Sequence, residues 1–123
     1  MSLEKKKDYE IILTVFSAVF EVPYKGLMWG NVPRHRPARA AVSVGLRLLT
    51  GTSYRDAARI IGKDLSQIVR YKQDHEKWME EDQIYRAKFQ NACIKSTVQI
   101  LRKNGRTDIT EEMVASRSDV GAA

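Results

Sequence analysis

Nine basic residues fall between positions 34 and 72 (Arg34, Arg36, Arg39, Arg47, Arg55, Arg59, Lys63, Arg70 and Lys72), against two acidic ones, Asp56 and Asp64. That stretch carries +7 of a net charge of +6, so the rest of the chain sums to −1. Cations gathered in this way suit the capture of a polyanion, because every phosphate they neutralise releases condensed counterions. The plainer alternative is an ordinary solvated basic face. Within the stretch, Leu65, Ser66, Gln67 and Arg70 are residue types that fit base edges. Gln pairs bidentately with adenine, Arg with guanine, Ser with several edges, and Leu meets the thymine methyl.

Residues that could support catalysis do not form a spaced set. Two histidines, His35 and His75, and the single Cys93 make no metal-ligand pattern, and His35 sits in a basic run that disfavours a cation. Gly62-Lys63 is not a phosphate-cradling loop, since position 57 is alanine and position 64 is aspartate rather than Ser or Thr. Glu80, Glu81 and Asp82 are contiguous, as on a solvated helix end. No enzyme activity, metal or cofactor is therefore expected.

The elements that must position the basic stretch read as helices. Ile11, Ile12, Val15, Phe16, Val19 and Phe20 recur at helical spacing, predicting a helix over 6–22 that Pro23 ends. Glycines, Asn31 and two prolines make 24–37 a short turn and a loop, closing with Arg34, His35 and Arg36. Pro37 opens a helix over 37–50 that Gly51 caps. Ser53, three residues before Asp56, opens a helix over 54–61. Gly62 breaks it, and Asp64 caps the next helix, whose apolar residues are Leu65, Ile68, Val69 and Tyr71 and which extends toward Trp78. A long helix follows over 83–103, for packing or oligomerisation. Residues 106–123 read as a loose tail with at most one short helix after Thr110.

Together these predict an all-α, compact multi-helix domain over 6–80 with a long C-terminal helix. A chain of 123 residues, 43% hydrophobic and 29% charged, suits one ordinary core. Its longest apolar-rich stretch, 11–20, falls well short of the roughly 20 residues a bilayer span needs. No membrane association or leader peptide is expected, and a cytoplasmic, nucleoid-associated protein is. The lone Cys93 reads as a buried structural thiol.

The stretch 54–73 also satisfies the steric demands of a helix-turn-helix. Ala57 and Ala58 supply the small residues where two helices cross. Gly62 supplies the turn, Ile68 points back into the core, and Ile61 and Tyr71 complete the inner face. Lys63 departs from the apolar residue common after the turn, and a plain helical hairpin gives the same spacing. In a helix-turn-helix, Leu65, Ser66, Gln67 and Arg70 would face the major groove. Thr52, Ser53, Arg55 and Lys63 would hold phosphates, with Arg39 and Lys72 completing the phosphate or minor-groove set.

The runs Arg36-Pro-Ala-Arg39, Leu46-Arg-Leu-Leu-Thr-Gly-Thr-Ser53 and Ala57-Ala-Arg-Ile-Ile-Gly-Lys-Asp64 resemble the C-terminal DNA-binding domain of the bacterial replication initiator DnaA, of the Trp-repressor-like superfamily. The resemblance covers about residues 11–74. It implies that Arg34, His35 and Arg36 reach a minor groove while Lys63, Asp64, Leu65, Ser66 and Gln67 face the major groove. Leu65-Ser66-Gln67 stand where the family has His-Thr-Thr, so the site read should differ from the initiator's own.

The leading expectation is a regulator, bacterial or phage, that binds double-stranded DNA at a defined site. A second is the recognition component of a packaging assembly, such as a small terminase subunit, with a homo-oligomer built on the helix over 83–103. A third is a helical adaptor that binds protein through exposed Leu27, Met28 and Trp29.

Overall fold

The computed structural model describes residues 3–28 and 31–117. Every regular element among them is helical, in agreement with the all-α reading. In chain order these are α1 (Leu3–Val19), α2 (Tyr24–Met28), a 3-10 turn (Pro33–His35), α3 (Arg36–Thr50), α4 (Tyr54–Ile61), α5 (Leu65–Glu81), α6 (Gln83–Lys103) and α7 (Glu111–Arg117).

The centre is α3, which is buried without interruption from Ala38 to Leu46 and packs against α1, α2, α4, α5 and α6. Its residues explain how so many neighbours fit. Ala38, Ala40, Ala41, Ser43 and Gly45 leave little side-chain bulk on any face, so helices approach closely. At Gly45 the fit requires a glycine, because a Cβ there would lie 2.6 Å from Cζ of the buried Phe16 on α1. Gly51 then ends α3 at φ 69°, its N–H donating to Arg47 O at 3.0 Å.

Three expectations change. The first helix ends at Val19 rather than at 22. Glu21 takes φ 56°, and Val22 N donates to Ser17 O at 3.0 Å, so the chain reverses while Phe20 and Val22 still reach the core. The apolar pattern therefore outlasts the helix. The segment read as a turn and loop contains α2, which buries Leu27 completely, and Met28 packs half-buried beside it. That removes Leu27 from any exposed adaptor surface, and Trp29 lies outside the described residues.

The third change concerns the C-terminal third. Tyr85, Phe89, Ala92 and Cys93 of α6 belong to the same core as α1, α3 and α5, so the hydrophobic unit does not stop at residue 80 and α6 serves packing. Beyond it, Ile109 and Val114 are buried against Val98, and the Arg102 guanidinium donates to Ile109 O at 3.1 and 2.9 Å. Residues 106–117 are thus tied down, while 118–123 lie outside the described residues. Among the described residues no helix is long and apolar enough to cross a membrane.

Candidate nucleic-acid interface

The unit from α4 to α5 is held by its caps and its inner face. Ser53 Oγ accepts from Asp56 N at 3.1 Å, which opens α4. Gly62, at φ 70°, ψ 37°, ends it, with its own N–H and that of Lys63 returning to Ala58 O. A left-handed residue here allows α5 to begin three residues later, at Leu65. Ala57, Ala58, Ile61, Ile68 and Tyr71 are all buried, as the spacing of small and branched residues requires.

Asp64 opens α5. Its Oδ1 accepts from Ser66 Oγ at 2.7 Å and from Gln67 N at 2.9 Å. The Ser66 bond, then the Gln67 bond, hold the Asp64 carboxyl below the usual carboxylate range, with Arg70 and Lys63 adding to the effect. Asp64 is therefore an anion that completes the helix start, and the Ser66 hydroxyl is committed to it as a donor.

Of the expected base-reading residues, Leu65, Ser66 and Arg70 are exposed, and Gln67 is half-buried. Gln67 lines a polar cleft of about 400 Å³ together with Asn31, Arg36, Lys63, Asp64 and Tyr71. The loop before α3 therefore faces the leading turn of α5 across this cleft. Lys63 Nζ donates to Asn31 Oδ1 at 2.5 Å on the same side.

The expected phosphate and minor-groove residues divide into three groups. Arg34 and Arg55 are exposed, and Lys72 is exposed but paired with Glu76 at 3.6 Å. His35 and Arg36 are half-buried. Arg36 Nε bonds Asp74 Oδ2 at 2.7 Å and its guanidinium lies 5.2 Å from the Tyr71 ring centroid. His35 Nδ1 is buried with no hydrogen-bond partner among the described residues, and it sits so close to Gly26 that a Cβ there would come within 2.9 Å.

Arg39 and Thr52 require correction, while Ser53 has a second duty. Arg39 is only 4% exposed. Its guanidinium donates to Tyr71 Oη at 2.9 Å, Val32 O at 3.2 Å and Gly26 O at 3.4 Å, so it joins α5, the loop and α2 from inside and cannot reach a phosphate. Thr52 is buried, its Oγ1 2.6 Å from Thr50 Oγ1, where it satisfies a local side-chain demand. Half-buried Ser53 accepts from Asp56 N as a cap, and its O–H proton is not used by that bond.

Two exposed residues of α5, Val69 and Gln73, were not singled out. Val69 had been grouped with the core residues Ile68 and Tyr71, but it follows Ile68 by one residue, a 100° step that turns it toward solvent. That step was the available signal, and the apolar side chain masked it.

No protein-family model, curated protein or solved structure matches this chain.

The strongly shifted titratable groups lie away from this face, in the core where α5 meets α6. Burial lowers the His75 imidazole to about 4, raises the Tyr85 phenol, and pushes the Cys93 thiol up to about 12. His75 Nδ1 and Tyr85 Oη are 2.7 Å apart, and His75 Nε2 is buried without a partner among the described residues. Among the described residues no group of three or more His, Cys, Asp or Glu side chains could hold a metal ion.

Proposed function

We propose that this chain binds double-stranded DNA at a defined sequence, with α4 and α5 acting as a helix-turn-helix in a transcriptional or replication-linked regulator. The observation that carries the reading is the bare leading turn of α5. Leu65, Ser66 and Arg70 stand in solvent on a helix whose opposite face is sunk in the core, and Arg34 and Arg55 are exposed on neighbouring segments. A helix anchored in this way can enter a major groove without losing fold contacts. The central excess of +7 and the resemblance of residues 36–64 to the DnaA DNA-binding domain support the same assignment.

In this arrangement Arg70 and Gln67 read bases. Arg55 and Arg34 hold phosphates, and Arg39 is a positioning residue that fixes the loop against α5. Selection of duplexes from a random pool at two salt concentrations should enrich a motif. On that motif Gln67→Ala and Arg70→Ala should each cost roughly 1 to 3 kcal/mol while leaving non-specific binding nearly intact. Equal losses on every sequence would refute base reading by these two residues.

A second reading, a DNA-recognition component of a packaging or other nucleoprotein assembly, keeps the same interface and adds self-association. Ile84 at the start of α6 favours it, being 71% exposed beside the half-buried Trp78. A monomer by mass measurement in solution, with and without DNA, would reject it.

A further inference from the structure

We propose that α5 reads the 5-methyl groups of thymine through an apolar ridge formed by Leu65 and Val69. The inference rests on the DNA-binding reading above and names what that interface selects. Leu65 is 41% and Val69 44% exposed, one turn apart on the same side of the helix. Single exposed apolar residues are ordinary, but an adjacent pair on the leading turns of a helix that also exposes Arg70 is a surface with its own chemistry. The core does not need them, since Ile68, Tyr71, His75 and Met79 make the inner face of α5.

The polar neighbours leave this ridge prominent. The Ser66 hydroxyl is donated to Asp64, and Gln67 is half-buried at the edge of the cleft shared with Asn31 and Arg36. Beside Gln67 and Arg70, Leu65 and Val69 are left to meet base edges. In a major groove, the group that rewards an apolar side chain is the C5 methyl of thymine. Four residues of helix advance about 6 Å against about 3.4 Å per base step along a strand. With α5 lying along the groove, the ridge spans methyl groups on neighbouring or next-neighbouring base pairs, with Arg70 beside them for a guanine. A protein partner is the other occupant such a ridge could have, but Arg55, Arg70 and the +7 central stretch favour a polyanion.

The test uses the full chain and a duplex selected from a random pool. Each thymine is replaced in turn by deoxyuridine, which removes only the methyl, and affinities are measured for the native chain, Leu65→Ser and Val69→Ser, with circular dichroism confirming that the exposed substitutions leave the fold intact. Uridine at one or two positions should weaken the native chain about three- to fivefold each. The same replacement should change the matching serine variant by less than about 1.5-fold, the signature of a direct pair in a double-mutant cycle. Should the native chain bind every uridine duplex within about 1.5-fold of the parent, methyl reading is overturned while DNA binding stands. Serine variants that bind and discriminate like the native chain would assign the ridge to a protein partner and equally overturn it. If no duplex is enriched or bound, the DNA reading fails and takes the ridge with it.

Discussion

The two faces of α5 meet opposite surroundings. Leu65, Ser66, Val69 and Arg70 stand in solvent, whereas Tyr71, His75 and Met79 are buried against α3 and α6. One helix thus draws its stability from its inner face, which begins at Ile68, and presents its outer one. The difference shows in its polar groups. At the junction of the inner face with the loop before α3, the Tyr71 hydroxyl accepts from Arg39, whose other donors find Val32 O and Gly26 O, so a buried charge is satisfied on three sides. One turn deeper, His75 has a partner at Nδ1 and none at Nε2 among the described residues, so it is accommodated only as a neutral ring. Substitutions in the buried part should therefore move stability, and those in the exposed part should move DNA affinity.

The largest effect should come from the junction. Arg39→Met keeps much of the side-chain volume but leaves Gly26 O, Val32 O and Tyr71 Oη without their donor. Three polar groups stranded in or beside the core should cost roughly 3 to 5 kcal/mol in urea unfolding. Tyr71→Phe removes a single acceptor and should cost much less. A loss below about 1 kcal/mol for Arg39→Met would mean that the loop is held against α5 by other contacts, and the boundary between the two parts of the helix would need to be drawn elsewhere.

His75 gives the next effect, and it depends on pH. Burial, the larger influence, lowers the folded imidazole from 6.5 to about 4, while the Glu76 carboxylate opposes the shift. Between those values the unfolded chain binds a proton that the folded chain refuses. Stability is therefore complete above pH 6.5, falls as pH drops toward about 4, and levels off below it. The span corresponds to about 3 kcal/mol. Unfolding free energies of the native chain and His75→Phe, measured between pH 7 and 4, should differ by a margin that shrinks or reverses on acidification, because only the native chain carries this titration. Parallel curves for the two proteins would show that protonation is absorbed without cost, which the packing against Tyr85 and Phe89 argues against.

Much of this fold was readable from local rules. Asp64 and Ser53 as caps, Gly51 and Gly62 as helix ends, and the bounds of α4 and α6 follow from side chains acting on their own backbone within three or four residues. The readings that failed concern effects that local rules do not encode. Arg39 looked like a surface cation because its type says so. Its burial depends on acceptors 7, 13 and 32 residues away in the chain, and no periodicity reports those. Leu27 looked exposed because a glycine- and proline-rich stretch reads as loop, whereas five residues of helix and one fully buried leucine anchor it. Thr52 and Ser53 are of the type that binds phosphates, but Thr52 is buried against Thr50 and the Ser53 oxygen also serves as a helix cap.

That last correction can be made quantitative at the start of α4, where Ser53 and Arg55 lie two residues apart with different duties. Ser53→Ala removes the acceptor for Asp56 N and should cost about 1 kcal/mol of stability. It should leave the salt dependence of DNA binding unchanged, because a neutral hydroxyl neutralises no phosphate. Arg55 is exposed, so Arg55→Ala should leave stability within about 0.5 kcal/mol. It should weaken binding to all sequences alike and lower the slope of log affinity against log salt by about 1, as expected for the loss of one phosphate contact. Measured side by side, the pair separates a residue that builds the interface from one that touches the ligand. A loss of DNA affinity for Ser53→Ala would keep its hydroxyl in the phosphate set, and an unchanged slope for Arg55→Ala would move the edge of the interface away from α4 and toward the loop that carries Arg34.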